Sequence, residues 1–321
     1  MSFSTKTRVG VLRGGPSSEY DVSLNTGKTV LANLPENCEP IDIFISKEGL
    51  WHTCGIQKDP YQILRSLDLV FNALHGTYGE DGEVQKLLNS FNIPYTGSKH
   101  LPSFLGMNKH LSKNIFSQSG LKTPPAVVVE KMYKDGDVVG ELKIVKYISD
   151  NLPLPIILKP INSGSSVGVF FVENLNDLRY TLRKAFEISQ KVLAEEFIFG
   201  KEATCGVIEN FRNQEIYKML PVEVLRAPGH FHDYDSKYLS GEPKYVAPGN
   251  FSFDESDQVK EAAALIHQIL DLKDYSRSDF IINPKRGVFV LEVNTLPELT
   301  HKSAFVKSLE ATGSNLKEFL S

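Results

Sequence analysis

Arg277 and Asp279 lie before a short polar break near the end of the chain, and Glu292 and Asn294 lie after it. They sit in two apolar, β-prone runs, Tyr275 to Ile282 and Gly287 to Val293, with Asn283, Pro284, Lys285 and Arg286 between them. A four-residue turn over Pro284 to Gly287 puts Asp279 opposite Glu292 and Arg277 opposite Asn294. Strand alternation then turns all four side chains to one face. Facing carboxylates repel unless a cation lies between them. Oxygen donors from Asp279, Glu292 and Asn294 suit Mg²⁺, which usually takes one or two carboxylates and completes its shell with substrate phosphates. A nucleotide is implied. The plain alternative is a surface hairpin with solvated charges.

A second segment bears on that choice. Leu154 to Pro160 reads as a buried strand carrying Lys159, followed by the small, flexible Ile161 to Gly168 and a second apolar run, Val169 to Val172. Glycine lets backbone amides approach an anion, serine hydroxyls add donors and Lys159 adds a point charge, so this loop could cover phosphates. It is not a Walker loop, because the GKS or GKT ending and the following helix are missing. Arg13 to Ser18 likewise fails the GxGxxG spacing. By itself a Gly/Ser connection is an ordinary turn; beside the acidic hairpin it points to nucleotide chemistry.

The elements that must hold these residues need more than one core. A chain of 321 residues suits two or three domains. A net charge of −4 and a pI near 6.1 lack the basic footprint of a nucleic-acid binder. No signal peptide or membrane span is legible, so a soluble, cytoplasmic protein is expected. Cys38, Cys54 and Cys205 lack CxxC spacing and read as packing residues.

Strands are expected at Thr7 to Leu12, Ile41 to Ile45 and Leu67 to Phe71, with helices at Asp21 to Leu34, begun by a Ser18/Asp21 capping pattern, and at Glu83 to Phe91. That alternation indicates a doubly wound, Rossmann-like parallel sheet with its ligand crevice at the carboxyl ends of the strands. Loops at Gly14 to Glu19 and Leu74 to Gly82 leave such ends and should share a cleft. One helix, Ser103 to Gly120, then leads to the Lys159 region, a helix near Leu175 to Ile188, and a strand Lys191 to Phe197. The irregular, aromatic stretch from Arg226 to Asn250 reads as a lid. A helix from Glu255 to Leu270 precedes the acidic hairpin.

Taken in order, Val11 to Glu19, Val22 to Asn25, Ala73 to Gly76, Gly79 to Gly82, Lys159 through Gly168, Asp233 to Ser240, Arg277 with Asp279, and Glu292 with Asn294 resemble the D-alanine:D-alanine ligases of the ATP-grasp superfamily. The match runs along almost the whole chain. It implies an ATP-grasp fold, α/β and α+β, in three parts: an N-terminal substrate domain over 1–102, a central subdomain over 103–194 and a C-terminal subdomain over 195–321 with a lid at 226–250. The implied activity uses ATP and Mg²⁺, two ions, with Mn²⁺ as a substitute, to join two D-alanines through an acyl phosphate for peptidoglycan synthesis. The implied assembly is a homodimer.

The resemblance also assigns roles. Lys109 and Lys159 hold the ATP phosphates, with Ser165 and Ser166 in the loop above them and Lys237 adding charge. Glu195 accepts from the adenine amino group, Phe197 and Ile198 lie beside the ring, and Glu202 meets the ribose. Glu19 holds the first substrate's ammonium with His75 nearby, and Glu19, Ser165 and Tyr238 form a hydrogen-bonded triad. Arg277 meets the developing oxyanion, and Ser303 the second substrate's carboxylate. Each has a duller reading: Glu19 as a helix-start carboxylate, His75 as a structural imidazole, Tyr238 and Lys237 as solvated lid residues, Glu195 and Glu196 as an exposed pair.

One departure stands out. Where the family has a Pro-Gly-Met run, this chain has Pro297, Glu298 and Leu299. A glutamate in place of that glycine bears on the acceptor. Either Glu298 turns outward or the acceptor pocket has changed, so another ATP-grasp amino-acid ligase and a non-catalytic ATP-binding homologue stay open as alternatives.

Overall fold

Val11 and Leu12 are fully buried along β1 (Thr7–Gly14), as a strand covered on both faces requires. In this computed structural model, which describes residues 6–134, 136–162, 164, 168–225 and 244–321, β1 pairs in parallel with β2 (Cys38–Ile45) and β5 (Leu69–Asn72). The expectations for Ser165, Ser166, Lys237 and Tyr238, and for most of the 226–250 segment, lie outside the described residues. Two short antiparallel strands, β3 (Trp51–Thr53) and β4 (Ile56–Gln57), extend this sheet in the order β4-β3-β2-β1-β5.

α1 (Tyr20–Asn33) follows β1, but Ser18 and Asp21 do not cap it. Glu19 occupies the N-cap without a side-chain cap bond, Ser17 accepts from the Glu19 N–H, and Asp21 lies in the first turn, where a carboxylate meets the positive end of the helix. α2 (Pro60–Leu64) and α3 (Glu83–Ser90) flank β5 in the chain. The single helix expected over 103–120 is two: α4 (His100–Met107) and α5 (Lys109–Gln118). Asn108 breaks it by leaving helical geometry (φ −85°, ψ 97°) and accepting from the Leu111 N–H as the N-cap of α5. Pro102 is tolerated because it lies in the first turn of α4.

The central sheet is antiparallel, in the order β6-β9-β7-β8: β6 (Ala126–Glu130), β9 (Lys191–Glu196), β7 (Ile156–Pro160) and β8 (Phe170–Val172). α6 (Val138–Asn151) and α7 (Leu175–Ile188) bury Ile148, Leu178 and Leu182 against it. Glu141 of α6 locks the helices together through Arg179 and Arg183 of α7.

The third sheet runs β13-β12-β10-β14-β15, with β11 on β10: β10 (Lys201–Phe211), β11 (Gln214–Lys218), β12 (Val222–Leu225), β13 (Lys244–Val246), β14 (Tyr275–Asn283) and β15 (Gly287–Asn294). α8 (Phe253–Ile269), started by a Ser252/Glu255 capping box, packs Val259, Ala263 and Ile266 on it together with Phe116 of α5. α9 (Ala304–Ala311) and α10 (Leu316–Phe319) close a core in which Val9, Val11, Phe71 and Ala73 of the first sheet meet Met219, Tyr275, Leu296, Leu299 and Phe305. The first and third sheets therefore share packing. Among the described residues no helix is long and apolar enough to cross a membrane.

Candidate nucleotide and metal site

The acidic hairpin forms with the expected partners: Asp279 opposes Glu292 and Arg277 opposes Asn294. The route there differs. Asn283 pairs with Gly287, so the turn holds one residue fewer than expected, and Gly287 takes φ +85°, where a side chain would be strained. A bulge then shifts the register between Asp279 and Phe280, passing over Leu291 and restoring the pairing.

The cations between the two carboxylates are the protein's own. Arg277 Nε and Nη2 donate to Asp279 Oδ1 and Oδ2 at 3.0 and 3.1 Å, and Thr204 Oγ1, from β10, donates to Oδ1 at 2.5 Å. Lys109, the first residue of α5, places Nζ 3.1 Å from Glu292 Oε2. Burial opposes the Glu292 charge, yet Lys109 and Lys159 hold its carboxyl down at about 2. The Glu292 side chain is still 37 % exposed and that of Asp279 21 %, so both keep lone pairs open to the cleft. Asn294 Oδ1 is oriented by the Leu296 N–H at 2.8 Å. Three hard oxygen donors on one strand pair, two of them carboxylates, fit a divalent Mg²⁺-type ion.

Behind this open pair is a closed one. Glu195, on β9, is 4 % exposed and has both oxygens occupied: Oε1 lies 2.5 Å from Lys159 Nζ, and Oε2 2.9 Å from Lys113 Nζ. Burial opposes ionisation here too, but the two ammonium groups keep the carboxyl below its ordinary value. Lys113 is also held below its ordinary value, by burial that Glu195 only partly offsets and by the neighbouring Lys159 charge. Glu195 is thus no exposed partner of Glu196, whose carboxylate pairs instead with Arg286 of the hairpin turn. Beyond them Ile198 is buried, and Phe197 stacks edge-on between Phe171 (centroids 5.0 Å) and Phe199 (4.8 Å). Glu202 lies on β10 opposite Ile281.

The N-terminal loops meet as expected. Glu19, His75 and Glu80 bring ligand atoms within 4.8 Å of one another. His75 has clear partners: one ring nitrogen lies 2.8 Å from Thr26 Oγ1, the other 3.2 Å from Glu80 Oε1. The Lys159 loop comes down on this group, for a Cβ on Gly164 would stand 2.5 Å from Glu19 Oε1, which explains the glycine by close approach. Ser303 is the N-cap of α9, 5 % exposed, its Oγ accepting from the Val306 N–H. Glu298 turns along its own loop, where its Oε1 accepts from Thr300 Oγ1 at 2.5 Å.

Sequence reasoning missed Lys113, Glu80 and Thr204. Lys113 follows Lys109 by four residues on one helix face, which is a readable signal. Glu80 lies in the glycine-rich loop already singled out. Thr204 has no local signal, since only the sheet brings it to Asp279.

Two antiparallel sheets meeting across lysines and ionised carboxylates, beside a parallel-strand domain, define an ATP-grasp ligase. Comparison with known proteins narrows this. Residues 115–321 match the family described as D-ala D-ala ligase C-terminus, and residues 8–63 and 55–98 the D-ala D-ala ligase N-terminus. The chain is 33 % identical to a D-alanine--D-alanine ligase of Geobacillus kaustophilus, covering 94 % of this chain and 89 % of that one. It is 34 % identical to one of Pelotomaculum thermopropionicum, covering 98 % and 94 %. Among solved structures, the VanG D-Ala:D-Ser ligase of Enterococcus faecalis superposes with a TM-score of 0.84 at 28 % identity, over 98 % of this chain and 97 % of that one. The D-alanine--D-alanine ligase of Bacillus anthracis complexed with ATP gives 0.76 at 28 % identity, over 98 % and 94 %. The chain belongs to the D-alanine–D-alanine ligase family of ATP-dependent ligases.

Proposed function

We propose that this enzyme joins two D-alanine molecules in the cytoplasm, converting ATP to ADP and phosphate, to supply the dipeptide for peptidoglycan. The supporting observation is the hairpin that sets Asp279 opposite Glu292, with Arg277 bonded to the first carboxylate and Lys109 3.1 Å from the second. A carboxylate is a poor acyl donor, because oxide would have to leave. Transfer of the γ-phosphoryl group to a carboxylate oxygen of the first D-alanine releases ADP and makes phosphate the leaving group. The amine of the second D-alanine then attacks the acyl carbon, phosphate departs, and the amine loses a proton. Such transfers depend mostly on positioning and charge neutralisation.

Residues of this chain divide that work. Lys109 and Lys159 hold the phosphates, with Ser165, Ser166 and Lys237 over them, while Glu195, Phe197, Ile198 and Glu202 hold the nucleoside. Glu19 and His75 receive the first substrate's ammonium, Arg277 faces the developing oxyanion, Ser303 the second carboxylate, and Tyr238 ties the lid to Glu19 and Ser165. Asp279, Glu292 and Asn294 would hold Mg²⁺, two ions or Mn²⁺ in their place, which would neutralise the transferring phosphoryl group. The three sheets support a division into three parts over 1–102, 103–194 and 195–321, with β9 of the central sheet running two residues past the second joint. A homodimer is part of the same reading.

Mass spectrometry after incubation with ATP, Mg²⁺ and D-alanine tests it: D-alanyl-D-alanine is expected, and its absence alongside turnover of another amino acid overturns the acceptor. Glu298 favours keeping that second reading, and D-serine belongs in the panel because a D-Ala:D-Ser ligase is among the structural relatives.

A further inference from the structure

α5 presents Lys109 and Lys113 four residues apart, hence on one face. Lys109 reaches Glu292 on β15 of the third sheet, and Lys113 reaches Glu195 on β9 of the central sheet. The helix is fixed at both sides: Phe116 is fully buried in the core of the third sheet, and the Lys109 N–H donates to Ile161 O, just past β7, at 3.1 Å. One rigid helix thus spans the two sheets with a lysine–glutamate pair on each. Lys109 already has a place at the phosphates. Lys113, 5 % exposed, has none.

We propose that Lys113 is the positioning residue for adenine recognition: it anchors Glu195 through Oε2, so that Oε1 alone changes partner, releasing Lys159 to the phosphates and accepting the adenine amino group in its place. This rests on the ATP reading above. Glu195 is buried, and both of its oxygens accept, and accept most strongly, only while it stays ionised. If Lys159 were its only cation, the departure of Lys159 would leave a buried carboxylate uncompensated, which is strongly unfavourable and would favour keeping Lys159 paired or protonating the acid. Lys113 removes that conflict. Its Nζ lies 2.9 Å from the oxygen that Lys159 does not use, on a helix that packs independently of the nucleotide. The exchange breaks the Lys159–Oε1 hydrogen bond and forms one from the amino group to Oε1; no proton moves. A fixed carboxylate at this position accepts from the amino group of adenine but faces an oxygen acceptor in guanine, so the same anchor carries base selectivity.

Steady-state kinetics of the full chain with Mg²⁺ and D-alanine, using ATP and GTP in turn, test this. Lys113→Met is expected to raise the KM for ATP about tenfold, the loss of one charge-assisted hydrogen bond, with kcat changed less than about threefold. The preference for ATP over GTP should narrow by a similar factor. Lys113→Arg should recover most of both effects, and in a Glu195→Gln background Lys113→Met should add less than about threefold. A merely structural lysine would not move the ATP/GTP ratio. If Lys113→Met fails to fold, Lys113→Gln carries the test at the same thresholds. An unchanged KM and ATP/GTP ratio, or a fall in kcat at constant KM, overturns the proposal. Absence of ATP binding and turnover in the unsubstituted chain defeats the underlying ATP reading instead.

Discussion

Glu195 and Glu292 are both buttressed by lysines from α5, yet they do different work. The Glu195 side chain is 5 % exposed, with a lysine on each oxygen, whereas the Glu292 side chain is 37 % exposed with one lysine on one oxygen. The closed carboxylate is shut off from solvent by its two lysines and can take a ligand donor only on the oxygen that Lys159 gives up. The open one keeps donor capacity facing the cleft, beside Asp279. Burial and the number of cations, rather than residue type, separate the glutamate proposed for the base from the glutamate proposed for the metal in this fold.

The largest effect should come from breaking the closed side. Glu195→Leu leaves Lys113 and Lys159 buried without their shared anion, and loss of one partner of a buried charge cluster costs about 3–5 kcal/mol of stability. Chemical denaturation should record that fall, together with weaker ATP binding. If stability changes by less than about 1 kcal/mol, water reaches the two lysines and the cluster is not closed.

Breaking the open side should spare the fold and remove the chemistry. Glu292→Gln keeps shape and a hydrogen-bond acceptor for Lys109 but removes a charged ligand. The expected outcome is a kcat lower by about 10²–10³-fold, or about 3–4 kcal/mol of transition-state stabilisation, with Mg²⁺ required at higher concentration. Its denaturation midpoint should move far less than that of Glu195→Leu, and a Mg²⁺ titration of both variants side by side would show whether the two carboxylates are as distinct as their exposures indicate.

The contrast between the two sides was only half legible in the sequence. The pairing of Asp279 with Glu292 could be read from apolar alternation, because each strand shows its buried and open faces in its own residues. The turn and the bulge could not: Gly287 closes the loop one residue early and Leu291 is passed over to compensate, two backbone irregularities that leave the alternation unmarked. Local pattern likewise placed Lys159 and Glu195 on strands, but their meeting with Lys113 depends on α5 docking across two sheets. That docking depends in turn on the break at Asn108, which a continuous helical pattern from Ser103 conceals.

A third buried cluster, packed against β14 at Ser276 rather than against the carboxylates of the hairpin, serves as the control. His267 lies on α8, 1 % exposed, with a ring nitrogen 2.8 Å from Ser276 Oγ and with Glu209 and Lys273 nearby. Burial depresses its pKa below 6.5, outweighing the pull of Glu209. The unfolded chain therefore takes up a proton that the folded one resists. Stability is complete above about pH 6.5 and falls as pH drops below it, by at most about 1.4 kcal/mol per pH unit. His267→Gln should flatten that slope between about pH 6.5 and 5.5 and leave the KM for ATP unchanged. A shift in that KM would mean that nucleotide binding is sensitive to a charge that contacts β14 without touching Glu195 or Glu292.

The smallest effect tests whether one helix truly serves both carboxylates. Asn108 caps α5 by accepting from the Leu111 N–H at 3.1 Å, directly before Lys109. Asn108→Ala should cost about 1 kcal/mol of stability. Fraying of that first turn moves Lys109 before it moves Lys113, one turn deeper. Affinity for Mg²⁺-ATP should therefore weaken a few-fold while the ATP/GTP ratio, carried by Lys113 and Glu195, holds. If the ratio collapses with the affinity, the two lysines act as one unit and the division between an open and a closed carboxylate fails at the helix that supports both.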